Sequence, residues 1–182
     1  MSIEVRKNSQ ISQDSDYILR PENEAKVSQI VRDLCKKNLP TEIIGSRSKN
    51  FIGNKLQCAK ILDLSKLSGI VEYLPEELYI KVKACTPIAE IEETLKKNNQ
   101  QLAFEPIDFG YIVSSKSNKG TAAGYLSCNF SGSRRFKSGS VRDHVLGFRG
   151  VNGKGDIIKS GGTVVKNVTG YDLSKLITGS FG

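Results

Sequence analysis

Apolar residues along this chain come in short groups whose spacing changes from segment to segment. Over residues 22–37, Val27, Ile30, Val31 and Leu34 recur at the three- and four-residue intervals of one helix face. Glu22 and Glu24 stand at the front of that stretch and Lys36 and Lys37 at the back, as the helix dipole favours, and Pro40 ends it. A short strand over residues 17–19, stopped by Pro21, precedes the helix, and a β-type run over residues 41–44 follows, giving a strand–helix–strand unit. Further strands are predicted over residues 60–64, 69–74 and 78–84. In the last of these Leu78, Ile80, Val82 and Ala84 alternate with Tyr79, Lys81 and Lys83, which assigns the aliphatic set to one face. Thr86 then reads as an N-cap and Pro87 as the first residue of a helix with Ile88, Ile91 and Leu95 as its buried stripe, ending at Asn98-Asn99.

The second half is less regular. Residues 109–120 are polar and read as an exposed loop, residues 121–128 as a short helix of small residues, and residues 131–140 as a basic, glycine-bearing loop. Runs over residues 145–151 and 156–159 flank Asn152-Gly153, a hairpin signal. From Gly161 onward the pattern turns from a glycine-bracketed strand into a short amphipathic helix and a glycine-bearing end. Its Gly, Asn and Thr content predicts backbone lying close to a large polar ligand, and the lack of a following apolar strand predicts a fold interrupted before completion. Strands and helices mix without strict alternation, so two α+β lobes fit better than a doubly wound sheet. The predicted organisation is a loose segment at 1–15, a first lobe at 16–106, a loop at 107–120, and a second lobe at 121–182 that is incomplete at its C-terminal end.

Charge narrows the partners. The chain of 182 residues carries a formal net charge of +8, which favours anionic partners but is equally met by a solvated basic surface. The charges are scattered rather than blocked, which argues against a nucleic-acid interface. Cys35, Cys58, Cys85 and Cys128 form no C-x-x-C pair, and His144 is the one histidine, which predicts no metal site and free thiols in a reducing, cytoplasmic setting. Residues 1–15 lack the apolar centre of a secretion signal, and no apolar run approaches membrane-spanning length. The sequons at Asn129 and Asn167 are therefore not read as glycosylation sites.

Candidate chemistry sits in the turns. The loop at 45–53 follows a strand and offers Gly45, Ser46, Arg47, Ser48 and Lys49, whose N–H groups, hydroxyls and charge could cradle a phosphate, or form an ordinary surface turn. It is not a Walker loop, since Gly53 is not followed by Lys-Ser or Lys-Thr. Thr121-Ala122-Ala123-Gly124 opens a helix with small residues, which permits either ligand approach to unpaired N–H groups or close helix packing. Gly153-Lys154-Gly155 lacks the third glycine of a dinucleotide fingerprint, because Ile158 stands there. Asp143-His144 has no G-x-S-x-G partner motif, so no hydrolytic triad is read, and Arg134-Arg135 reads as a solvated loop rather than as a site for a phosphate or a partner carboxylate, which it could also serve.

Taken in order, the loop at 45–53, Gly69-Ile70-Val71-Glu72-Tyr73, Gln101-Leu102-Ala103-Phe104-Glu105-Pro106, Ser131-Gly132-Ser133-Arg134-Arg135, the run from Gly139 to Gly147 and the C-terminal stretch resemble the FAD-binding domain of the vanillyl-alcohol oxidase and p-cresol methylhydroxylase family. Within it the chain is most similar to the E-subunit group of bacterial glycolate oxidases. The resemblance implies an α+β, two-lobed FAD-binding domain of the p-cresol methylhydroxylase type, with FAD between the lobes. It implies a first diphosphate wall of Gly45, Ser46, Arg47, Ser48 and Lys49, and a second that includes Thr121 and Gly124. Asn129, Ser131 and Gly132 fall at a family turn near the cofactor, Gly139 at a glycine that admits the flavin side, and Pro106 is a further cofactor-binding position. It further implies flavin-dependent oxidation of glycolate, or of another 2-hydroxy acid such as D-lactate or a sugar, in complex with a flavin D-type subunit and an iron–sulfur subunit. Any membrane association would be peripheral, through those partners. A structural subunit with a degraded flavin site is the alternative of another class. The sequence departs from the family at Ala123, where a second glycine is usual, and at an insertion over residues 111–119. It also stops where the family continues into a strand and a substrate cap, so the resemblance implies a C-terminally truncated chain that is inactive alone. No catalytic base is assigned.

Overall fold

The structure is a computed structural model that describes residues 17–54, 56–162 and 170–181. The loose segment expected at 1–15, the strand expected beyond Gly162 and the sequon at Asn167 lie outside them. The fold is α+β. Strand β1 (Ile18–Leu19) leads into helix α1 (Glu24–Lys36), whose N-cap is Asn23: its side chain accepts the Lys26 N–H at 2.9 Å. Strands β2 (Thr41–Ile44) and β3 (Lys60–Asp63) complete a parallel sheet in the order β1-β3-β2. The middle strand, β3, is nearly sealed, with Ile61 and Leu62 buried, and Val27 of α1 is buried with them.

An antiparallel pair follows, β4 (Ile70–Leu74) with β5 (Tyr79–Val82). Here the predicted faces need correction. Tyr79 is buried and its hydroxyl donates to Glu72, while Leu78 is 79% exposed. Leu78 lies in the turn at φ 54°, outside the strand, so its alternation with Ile80 carries no facing information. The Glu72 hydrogen bond pushes the Tyr79 phenol up to about 12.

Helix α2 (Ile88–Lys96) buries the predicted stripe of Ile88, Ile91 and Leu95. Thr86 does not cap it. The Thr86 hydroxyl is fully buried, donates toward the carbonyls of Gly69 (3.0 Å) and Lys83 (2.8 Å), and accepts the Gly69 N–H at 3.0 Å, so it staples β4 to the end of β5. Pro87 instead bridges to Thr121.

Residues 109–120, expected as a loop, contain helix α3 (Phe109–Ser114), capped by Asp108. Helix α4 (Ala122–Cys128) starts behind the N-cap Thr121 as predicted. The expected loop at 131–140 holds the single turn α5 (Arg135–Ser138), followed by α6 (Val141–His144) with a Ser140/Asp143 capping box. The antiparallel hairpin β6 (Gly147–Val151) and β7 (Ile157–Gly161) matches the Asn-Gly signal, and α7 (Leu173–Ile177) is the short helix near the end.

Two packings join distant parts of the chain. The main core unites Ile88, Ile91 and Leu95 of α2 with Tyr125 of α4 and Val141 of α6, with Phe104 and Phe130 against it. The β6–β7 hairpin lies on α1, where the Ser28 hydroxyl donates to the Gly155 carbonyl at 2.5 Å and Arg149 pairs with Glu24. Residues from both sides of the 107–120 segment thus share one core.

Candidate cofactor site

The loop after β2 meets the start of α4. A Cβ added to Gly45 would stand 3.5 Å from the Thr121 hydroxyl and 3.1 Å from the Cys85 sulfur, so the loop packs tightly on both side chains. Three residues on, Ser48 and Lys49 face Gly120, which has φ +88° and whose added Cβ would lie 2.7 Å from the Lys49 Nζ. A Cβ added to Gly124 would stand 3.5 Å from the same Nζ. Gly45, Ser48, Lys49, Thr121 and Gly124 therefore lie together in one crevice, the convergence of two turns that the family resemblance implies. Ser46 is exposed at its rim. Arg47 is turned away: it adopts φ 53° and its guanidinium pairs with Glu42 at 3.4 Å, bracing the loop from behind.

Lys49 dominates the crevice electrostatically. Its ammonium lies 4.4 Å from the centroid of the buried Tyr125 ring and 5.9 Å from that of Phe109, and donates to the Ser48 hydroxyl at 3.2 Å. Among the described residues no carboxylate comes within ion-pair distance of it. Burial pulls its pKa below the ordinary lysine value. A desolvated cation lacking a counter-charge is costly unless an anion joins it. The N–H groups of Ser46, Arg47, Ser48 and Lys49 also have no backbone acceptor among the described residues.

The α4 N-terminus differs from expectation. Its N–H groups are not open to a ligand: Ala122 donates to the Thr86 carbonyl (2.9 Å), Ala123 to the Ala84 carbonyl (2.8 Å), and Gly124 to the Thr121 hydroxyl (3.3 Å). What this wall presents to the crevice is glycine space and the Thr121 side chain. Ala123 is held by the same backbone bond, half-buried.

The other predicted residues cluster separately. Gly132 lies so close to Glu105 that an added Cβ would overlap its carboxyl, and Glu105 itself has φ 56° immediately before Pro106. The Glu105 carboxylate accepts the Arg134 N–H at 2.9 Å. Asn129 caps α4 at φ 52° and accepts the Arg142 N–H at 3.0 Å, and the Ser131 hydroxyl accepts the Val141 N–H at 3.3 Å. Gly139, at φ +80°, leaves room for Asp143, whose carboxyl the Ser140 N–H and hydroxyl hold below the usual range. Pro106 also lines a cleft of about 470 Å3 with Glu92, Lys96, Glu105, Lys119 and Arg134. The two clusters are linked by aromatic residues that sequence reasoning missed. The Tyr125 hydroxyl donates to the Ile107 carbonyl, next to Pro106. Phe109 stands 5.8 Å from Phe51 and 4.8 Å from Phe130, centroid to centroid. Tyr125 recurs four residues after Thr121, the spacing that stacks it over the helix start, which is the signal that could have found it.

Such an arrangement, a half-buried cation between glycine turns of separate elements, fits a nucleotide diphosphate. Residues 15–161 match the family model described as an FAD binding domain, so the chain belongs to that family, and its cofactor is FAD. It is 40% identical over 160 residues to glycolate oxidase subunit GlcE of Escherichia coli (strain K12), covering 88% of this chain and 43% of that protein. It is 29% identical over 169 residues to glycolate oxidase subunit GlcD of Bacillus subtilis (strain 168), covering 92% of this chain and 34% of that protein. A D-lactate dehydrogenase of Anaerostipes hadrus is 29% identical over 159 residues, 86% of this chain and 31% of that protein. The chain thus spans less than half the length of these relatives. The solved structure of alkyldihydroxyacetonephosphate synthase superposes with a TM-score of 0.67 at 20% identity, over 91% of this chain and 31% of that one, and shares the fold.

The residues present fit FAD: Lys49 supplies an unmatched positive charge, Gly45 and Gly120 a cradle that a Cβ would fill, and Ser46 to Lys49 N–H groups without backbone acceptors. Among the described residues no group of His, Cys, Asp and Glu side chains could hold a metal ion, and no helix is long and apolar enough to cross a membrane.

Proposed function

We propose that this chain is the FAD-binding part of a subunit of a glycolate-oxidising complex. The carrying observation is Lys49: a half-buried ammonium with no carboxylate partner among the described residues, facing Gly120 and Gly124. In this reading Lys49 neutralises the FAD diphosphate, the N–H groups of Ser46 and Ser48 bond its oxygens, and Gly45, Thr121 and Gly124 leave it room. Each hydrogen bond to the charged group contributes about 1.5–3 kcal/mol. Arg47 supports the loop through Glu42, while Pro106, Asn129, Ser131 and Gly132 lie near the cofactor and Gly139 admits its flavin side. When bound, the flavin supplies the two-electron acceptor that oxidises a C–OH carbon to a carbonyl.

The substrate reading rests on likeness to the glycolate oxidase subunits GlcE and GlcD. Electrons would leave through an iron–sulfur partner, beside a D-type flavin subunit, and any membrane attachment would be made through those partners. A second reading, D-lactate as substrate, is favoured by the D-lactate dehydrogenase relative. The test has two stages. The purified chain is expected to show a flavin absorption band or to take up added FAD; a chain that does neither is a structural subunit, and the proposal fails. The assembled complex is then expected to reduce a dye with glycolate faster than with D-lactate; the reverse order selects the second reading. The 182-residue chain alone is expected to reduce no dye.

A further inference from the structure

The 109–118 excursion leaves the main path after Asp108 and returns at Gly120, and both of its ends touch the crevice. Phe109 packs its ring between Phe51 and Phe130 and faces the Lys49 ammonium. Gly120, at φ +88°, lies directly against the Ser48 and Lys49 side chains, in a backbone conformation that other residues rarely adopt. One carboxylate ties these ends together. Asp108 accepts the N–H groups of Tyr111 (3.0 Å) and Asn118 (2.9 Å) on one oxygen and the Ser117 hydroxyl (2.6 Å) on the other. Around it the Gly110 N–H donates to the Asn118 carbonyl at 3.3 Å, and the Asn118 side chain accepts the Gly120 N–H at 3.1 Å. A Cβ on Gly110 would stand 2.5 Å from the Asn118 nitrogen and 2.6 Å from the Lys116 carbonyl oxygen, so the neck closes only around a glycine. Lys119 fastens the returning arm to α2 by pairing with Glu92 at 2.6 Å.

We infer that Asp108 is a positioning residue for the cofactor: by clamping the neck it fixes Phe109 and Gly120 against Lys49, so that the ammonium is already aimed where the diphosphate binds. This rests on reading Lys49 as the diphosphate anchor. The clamp acts by preorganisation. Without it the excursion's two ends move independently, and FAD binding must order them and Lys49 together. The excursion's outward residues Tyr111 and Ile112 are exposed, so the neck rather than the core fixes its place.

The experiment compares the full chain with Asp108→Ala, Asp108→Asn, Gly110→Ala and Lys49→Met. It measures FAD affinity by fluorescence titration, amide exchange at Tyr111 and Asn118, and thermal unfolding without FAD. Asp108→Ala and Gly110→Ala are expected to lose amide protection and weaken FAD about tenfold, with the apo melting point within about 2 °C of the parent. Asp108→Asn keeps an acceptor oxygen and is expected within about threefold of the parent. If Lys49→Met weakens FAD but the two neck-opening variants do not, the clamp is overturned while the anchor stands. If Lys49→Met leaves affinity unchanged, the anchor is overturned and the clamp with it. If Asp108→Ala and Gly110→Ala weaken FAD only in step with a large loss of apo melting temperature, Asp108 is merely structural and the inference is overturned.

Discussion

The Lys49 ammonium stands 4.4 Å from the centre of the Tyr125 ring, a residue that is 1% exposed, so a cation from the first glycine loop rests on the aromatic floor of the second. The ring face offers partial negative charge but not a full counter-ion. The ammonium is thus held in place without being neutralised, which suits a residue that must exchange its environment for an anion.

Replacing Lys49 with Met should therefore weaken FAD binding by about ten- to a hundredfold. The pH dependence has a definite sign. Burial lowers the Lys49 pKa, so the group loses its proton at a lower pH than an exposed lysine. FAD affinity should fall as pH rises through that lowered value, while Lys49→Met should remove this component. The apoprotein should respond oppositely, because a desolvated charge disfavours the folded state until it is discharged: stability from this group rises over the same alkaline range. Titrations from neutral to alkaline pH on both proteins would check this, and parallel pH profiles would refute it.

The hairpin between β6 and β7 offers a contrast between two glycines. Gly155 has φ +81°, and a Cβ there would come within 2.8 Å of the Ser28 carbonyl oxygen and 3.0 Å of the Arg32 nitrogen in α1. Gly153 has nothing within 4 Å and is free of that backbone constraint. Gly155→Ala should cost at least about 1–3 kcal/mol from the left-handed backbone alone. Gly153→Ala should stay within about 0.5 kcal/mol of the parent. Denaturant melts of the two variants would decide the ranking.

Tyr125 has two roles that a single atom separates. Tyr125→Phe removes the hydroxyl that serves the Ile107 carbonyl and should destabilise the fold by about 1–2 kcal/mol. It keeps the ring under Lys49, so FAD affinity should change less than threefold, since the cation–π contact is retained. Tyr125→Leu removes both and should lower stability and affinity together. Chemical denaturation paired with FAD titration would show whether the two effects part.

Asp63 should govern part of the acid limb of stability. Burial by itself raises its pKa, but the Ser65 N–H and hydroxyl and the Arg20 guanidinium, 3.0 Å away, outweigh it and leave it lowered. A carboxylate lowered in the folded state contributes stability above its unfolded pKa and loses it as pH falls through the folded value. Asp63→Asn should therefore flatten the decline in melting temperature below about pH 4. An unchanged acid limb would assign it to other carboxylates.

Much of this was legible in the sequence, for reasons that can be named. The α1 and α2 stripes were readable because each buries one face against a single core, so periodicity and burial coincide. The Gly45 to Lys49 loop and Thr121 were readable as small-residue turns, and the structure brings them into one crevice. Leu78 misled because a positive-φ turn residue was counted into an alternating strand. Thr86 misled because its hydroxyl was spent on Gly69 and Lys83, a choice fixed by tertiary contact. Helix α3 was missed because Phe109, Ile112 and Val113 keep helical spacing over little more than one turn, and Asp108 secures it through contacts to both ends of the excursion. Phe109 could not be placed in the site from sequence, since nothing local shows that its ring faces a lysine so much earlier in the chain.

The hydrogen bonds from Ala122 and Ala123 to the Thr86 and Ala84 carbonyls bear on how the holoprotein is made. That corner closes with its donors already consumed by neighbouring backbone, so it needs no nucleotide to reach its final shape. Loading can then come late in biogenesis, with the lysine already in place on its aromatic rest.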